Sequence, residues 1–142
     1  MPAPNEDRAV NEFEITIPRE RPFSAVAGFV VGGIASRHDL TLDALDDLQL
    51  ALDSLLERDE HANDLEGDVN IRLLVTPAAI DTSIGPLGAQ TVAEVNQDAG
   101  TALGLRRLLE TLVDEVAVKQ RDGGSWVELR KLCALPSAEA TG

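Results

Sequence analysis

Leu42, Leu45, Leu48, Leu52, Leu55 and Leu56 recur every three or four residues, the spacing of a helix with one wall in a core. A stripe this long must be covered by another layer, so it rules out an isolated helix or a disordered chain. Thr41 is placed to cap the helix N-terminus, where Asp43, Asp46 and Asp47 lie near the positive end of the helix dipole. The stripe predicts a helix to about Glu60, ending in His61-Ala62-Asn63-Asp64.

The period changes on either side. Phe13, Ile15 and Ile17 alternate with Glu12, Glu14 and Thr16, the pattern of a half-buried strand. Pro18 and Pro22 bracket a charged turn, Arg19-Glu20-Arg21, before a helix from Phe23 to Ser36. Gly28, Gly32 and Gly33 lie on nearly one side of that helix and would admit another backbone. Val69, Ile71, Leu73 and Val75 predict a strand that turns at Pro77 and returns through Ile80, Thr82 and Ile84 to a stop at Gly85-Pro86-Leu87-Gly88. The stretch 89–100 stays ambiguous. Leu105, Leu108, Leu109, Leu112, Val113 and Val116 predict a further helix. A last pair of strands, from Val116 and from Trp126 to Leu132, meets at an Asp122-Gly123-Gly124 hairpin. The order β-α-α-β-β-α-β-β predicts an α+β two-layer sandwich, a mixed, mostly antiparallel sheet with three helices on one face. One domain over 12–132 is expected, with a loose arm at 1–11 and a disordered tail at 133–142.

Twenty-five Asp and Glu against 12 Lys and Arg give a net charge of −13. Such a chain repels nucleic acid and anionic membranes, whose phosphates call for clustered Lys and Arg, and suits a protein partner with a basic face. The lone Cys133 cannot form an internal disulfide, and the nearly apolar run Ala25 to Ala35 is too short for a membrane span. With no secretory leader recognised, the expectation is a soluble cytoplasmic protein.

Three strings carry a resemblance: Ala102-Leu103-Gly104-Leu105 leading into Leu109-Glu110-Thr111-Leu112-Val113-Asp114-Glu115-Val116; Asp43 to Arg58; and Ile80 to Gly88. In order and spacing they resemble the GHKL ATPase fold, in its branch of small anti-sigma-factor serine-protein kinases, the bacterial partner-switching regulators. That resemblance implies a nucleotide pocket made by a helix bearing a general-base Glu and a magnesium-binding Asn, an Asp-x-Gly that reads adenine, and a glycine turn that cradles phosphate.

At those places this chain departs from the family. Ser54 stands at the general-base position, and loss of a positioned base costs about 10²–10⁴ in rate. Arg58 stands at the metal-ligand position and would repel a cation. Pro86 replaces the adenine-reading aspartate, while Gly88 keeps the motif's glycine. In the phosphate turn Ala102 replaces one glycine and Gly104 is retained. The resemblance therefore implies a vestigial pocket at Arg58, Pro86, Gly88, Ala102 and Gly104, with no catalytic residue, no metal site and no cofactor.

Other readings remain beside it. Arg58 is either an arginine at an exposed helix end pairing with Glu57 or a neighbour of Asp53, or a direct phosphate contact. Ser54 is a packed hydroxyl rather than a phosphate acceptor. Asp53, Glu57, Asp59, Glu60, Asp64, Glu66 and Asp68 read as a solvated acidic face, since their spacing fits no calcium loop. His38 and His61 lack partners at metal-ligand spacing, and Cys133 reads as inert. The first strand is either a dimerising edge or one blunted by Glu12, Glu14 and Pro18. The leading function is an anti-sigma-type regulator that binds a sigma factor or an anti-anti-sigma factor. The alternatives are an active kinase using ATP and magnesium on an anti-anti-sigma factor, and an acidic interaction module with no nucleotide history.

Overall fold

A computed structural model describes residues 11–19, 21–35, 41–62, 66–96, 104–121 and 123–132; the side chains of 21–24, 35, 61 and 62 lie outside that description. Residues 1–10 of the expected arm, the expected tail, His38, Asp64, Ala102, Asp122 and Cys133 fall outside it as well, while Asn11 begins the first strand.

The alternating residues of the first stretch form β1 (Asn11–Pro18), which runs antiparallel to β2 (Asp68–Val75), with Phe13 opposite Leu73 and Ile15 opposite Ile71. β3 (Ala79–Leu87) returns beside β2, and β5 (Gly124–Leu132) pairs with both β3 and β4 (Glu115–Arg121). The sheet order is β1-β2-β3-β5-β4. Every pairing is antiparallel, where a mixed sheet was expected. The helical pair 21–62 joins two antiparallel neighbours, β1 and β2, so it makes no parallel crossover.

Four helices are described: α1 (Arg21–Ala35), α2 (Leu42–Ala62), α3 (Ala89–Val95) and α4 (Leu105–Leu112). The ambiguous stretch supplies the fourth, α3, for which Gly88 is the N-cap. α1 starts two residues earlier than predicted, with Pro22 in the first turn, where its missing N–H has no intrahelical partner to lose. α4 is shorter than its apolar spacing suggested. It ends at Leu112 because Val113 is extended, and Val116 belongs to β4. Thr41 caps α2 as expected: the Ala44 N–H donates to its hydroxyl at 3.1 Å.

The core is one continuous cluster between the sheet and the helices. Leu48, Leu52 and Leu55 from α2 and Leu109 from α4 lie with Ile71, Leu73, Ile84 and Leu129 from the strands, all fully buried. Leu48, Leu52, Leu55 and Leu56 of the stripe form the floor of the helical layer, whereas Leu42, at the first position of α2, is 72% exposed. Gly28 and Gly32 play a role different from the one predicted. They seat side chains of α2 instead of another backbone: a Cβ at Gly28 would lie 2.8 Å from Asp53 Oδ1, and one at Gly32 1.8 Å from Gln49 Nε2. Gly33 has nothing within 4 Å of that position. Gln49 Nε2 also donates to the Gly28 carbonyl at 3.2 Å, which fixes the register of the two helices. Among the described residues no helix is long and apolar enough to cross a membrane.

Candidate functional site

The C-terminal half of α2, the end of β3 and the start of α3 meet at one corner, and the residues there include two of the predicted site positions, Pro86 and Gly88. On a helix each residue turns about 100°. Asp59 therefore falls on the same wall as Leu48, Leu52 and Leu55, and is buried with them at 3% exposure. Its Oδ1 accepts the Gly88 N–H at 2.8 Å and the Thr91 hydroxyl at 2.9 Å. Thr91 is itself fully buried. The other oxygen, Oδ2, pairs with Arg19 Nη1.

Arg19 leaves the end of β1 and enters the same corner, its side chain only 7% exposed. Beyond Asp59 it donates through Nη2 to the Pro86 carbonyl at 2.9 Å and to the Asp68 carbonyl at 3.2 Å. The carbonyl of Pro86 and the N–H of Gly88, the residues at the two ends of the Asp-x-Gly match, are thus both taken up by an internal ion pair. A buried carboxylate needs such partners, since stripping water from an unpaired charge costs several kcal/mol. The cavity lined by Ile17, Pro18, Arg19, Leu56, Asp59, Glu60 and Val69 measures about 10 Å³. Arg19 Nε and Glu60 Oε1, each without a protein partner, belong to residues lining that space, which has room for a single water.

Asp59 was expected on the solvated acidic face and Arg19 in a charged turn; both are buried. The signal for Asp59 was present, because positions 48, 52, 55 and 59 continue the leucine spacing. Arg19 carried no comparable mark, since its burial depends on elements far along the chain.

The other predicted positions separate. Arg58 reaches beyond its own helix. Its Nε meets Glu94 of α3 at 3.1 Å, with the two side chains 48% and 22% exposed. The helical turn aims residue 58 at α3, away from its own acidic face. Ser54 is half-buried on α2. Asp53, the carboxylate adjacent to it in sequence, packs on Gly28 of α1, along the other seam of α2. It cannot substitute for a base facing α3. Gly104 is the N-cap of α4, with φ −76°, so no left-handed conformation requires glycine there. Arg106 Nη1 donates to the Val95 carbonyl at 3.1 Å and ties α4 to the end of α3. Ala102 lies outside the described residues.

Asp53 has an abnormal environment. Its Oδ1 is buried without a partner, and burial first, then the nearby Glu57 charge, push its carboxyl above the usual aspartate range. A raised folded-state value means that the folded protein holds the proton to higher pH than the unfolded chain does. Stability from this group is therefore present at low pH and lost as pH rises through the folded value. α1 presents only glycine to it among the described side chains, so no cation opposes the shift. Asp53→Asn is expected to be more stable than the parent at pH 7, with the gap shrinking toward pH 3. Urea denaturation of both proteins at the two pH values checks this, and an equal gap at both refutes the assignment.

No protein-family model matches the chain. Among curated proteins it is similar to Serine-protein kinase RsbW of Bacillus velezensis, 28% identical, with 81% of this chain and 82% of the relative covered. It is likewise similar to Serine-protein kinase RsbW of Bacillus subtilis, 28% identical, with 78% and 79% covered. These relatives bear out the resemblance drawn from the three sequence strings.

Proposed function

We propose, from the premise that this chain is a relative of the serine-protein kinases of the GHKL fold, that it is an anti-sigma-type regulator acting by protein–protein binding. In this reading it does not transfer phosphate. The observation that carries it is the Arg19–Asp59 pair, which takes up the Pro86 carbonyl and the Gly88 N–H from within the fold. Those groups border the place where the resemblance puts the base of a nucleotide.

The residues present do not fit magnesium-ATP. Where the resemblance puts a metal ligand the chain has Arg58, a cation already engaged with Glu94. Where it puts a base there is Ser54, whose hydroxyl does not accept a proton at neutral pH. A retained scaffold with altered chemistry leaves binding as the activity, and the net charge of −13 favours a partner with a basic face, of sigma-factor or anti-anti-sigma-factor type.

Titration of the purified chain with ATP, with and without magnesium, tests the reading by calorimetry. The expected result is no heat of binding at about millimolar nucleotide, a Kd weaker than ~1 mM. Magnesium-dependent binding tighter than about 10 μM, or transfer of labelled phosphate from ATP to a partner, would overturn it in favour of the active-kinase alternative. That alternative draws on Gly88 and Gly104, which keep their places, and on the relatives' names.

A further inference from the structure

The sheet ends at β4, and among the described residues no strand pairs with its outer side. Arg121 stands opposite Gly124 across a two-residue turn, a hydrogen-bonded place in such hairpins. Pairing alternates along an antiparallel strand, so the N–H and C=O groups of Val116, Val118 and Gln120 are turned away from β5. Such backbone groups are completed by another strand or by water.

The two faces of this edge differ. On the helix side Val116 and Val118 pack against the core yet stay half-buried. On the other side stand Glu115, Ala117, Lys119 and Arg121. Glu115 lies opposite Arg130, and Arg121 is held by Glu128 at 2.6 Å. Lys119 is exposed and has no carboxylate partner among the described residues. In a chain of net charge −13 it is an uncommitted cation in the middle of a free edge. The opposite edge, β1, carries Glu12 and Glu14 and neither Lys nor Arg.

We propose that β4 takes up an extended segment of a protein partner as an added strand, with apolar residues beside Val116 and Val118 and an acidic residue beside Lys119. The backbone ladder supplies affinity in this mode of recognition, and alternate side chains supply specificity. Charge selects both the occupant and the edge. An acidic strand is attracted at Lys119 and repelled by Glu12 and Glu14 at β1. A second copy is the poorer occupant. Two β4 edges joined about a two-fold axis set both Lys119 side chains close together on one face, and β4 of one copy on β1 of the next leaves open edges that never close. The contact goes beyond the reading of the chain as a binding regulator, since it involves neither the Asp59 corner nor a basic partner face.

Fluorescence anisotropy on the full chain tests the edge. The probe is a short synthetic peptide of alternating valine and serine with a central glutamate. One twin has lysine in place of the glutamate. The other is N-methylated along its backbone, which removes the ladder donors and leaves the side chains. The glutamate peptide is expected to bind and its N-methylated twin to lose binding. Lys119→Glu, an exposed substitution, weakens the glutamate peptide about fivefold or more and strengthens the lysine twin, a reversal that loss of folding would not produce. Hydrogen exchange slows at Val116, Val118 and Gln120 in the complex. No binding of the glutamate peptide, equal binding of the N-methylated twin, or indifference to Lys119→Glu overturns the proposal. So does slowed exchange on β1 in place of β4. Self-association in sedimentation that Lys119→Glu abolishes overturns it too, because a second copy would then be the occupant. None of these outcomes depends on whether ATP binds, so the two readings fail separately.

Discussion

Asp59→Ala is expected to destabilise the protein by about 3–5 kcal/mol, the cost of leaving one member of a buried ion pair without its partner. The side chain is 3% exposed and that of Arg19 7%, so little water is at hand to replace the lost carboxylate. The substitution also strands the Gly88 N–H and the Thr91 hydroxyl, which share Oδ1 at 2.8 and 2.9 Å. Arg19→Ala should cost a comparable amount, since it uncovers Asp59 and the Pro86 carbonyl together. The double replacement Arg19→Met with Asp59→Leu removes both charges, and it should recover much of the loss because no lone charge stays buried. Guanidinium denaturation of the three variants beside the parent measures this. A loss below about 1 kcal/mol for Asp59→Ala, the range of exposed pairs, would show that the corner is wet and the pair weak.

The second large effect lies on the opposite face of the sheet. Trp126 is the only tryptophan and is 3% exposed, although it stands on the face opposite the described helices. Gly85 gives it room: a Cβ there would lie 2.5 Å from the ring. Arg72 and Arg121 cover the ring, each guanidinium carbon 5.3 Å from its centre, within cation–π range. Glu14 holds Arg72 at 3.1 Å and Glu128 holds Arg121 at 2.6 Å, so the two arginines are fixed from outside. Trp126→Ala is expected to cost about 3–5 kcal/mol by urea denaturation followed by circular dichroism. Gly85→Ala should cost about 1–3 kcal/mol, because the ring must shift against those arginines. In the Gly85→Ala/Trp126→Ala double variant the two losses should sum to less than their separate values. Additive losses would mean that the ring and the glycine do not share a site.

The parts of the fold that one element determines could be read directly. The stripe from Leu42 to Leu56 placed α2, and the alternation at Phe13, Ile15 and Ile17 placed β1, because each pattern reports a local period and a buried face. Boundaries were harder. Val113 and Val116 continue the spacing of α4, yet the backbone turns extended at Val113 to start β4, a choice that tertiary pairing makes. The corner was half legible. Residue type and spacing alone set Ser54, Arg58 and Pro86 apart from the pattern that the resemblance implies, with Gly88 in its expected place. The ion pair at that corner was hidden, since Arg19 meets Asp59, Asp68 and Pro86 only after β1, α2, β2 and β3 have come together. The glycines of α1 were similarly ambiguous. A helix with missing side chains can admit a backbone or a neighbour's long side chain, and only the facing Gln49 and Asp53 decide between them.

The pairing of β1 carries a consequence for synthesis. Asn11 finds its partner in Val75 and Pro18 in Asp68, with two helices intervening. A ribosome must therefore emit the chain to Asp68 before the first strand can begin to zip, and through Val75 before it can finish. Until then Phe13, Ile15 and Ile17 are held by nothing in their own sheet, at a contact distance that is slow to close. The nascent chain thus passes through an interval with a sticky, unmated leading strand, and that is the interval in which chaperones or a second nascent copy would compete for it.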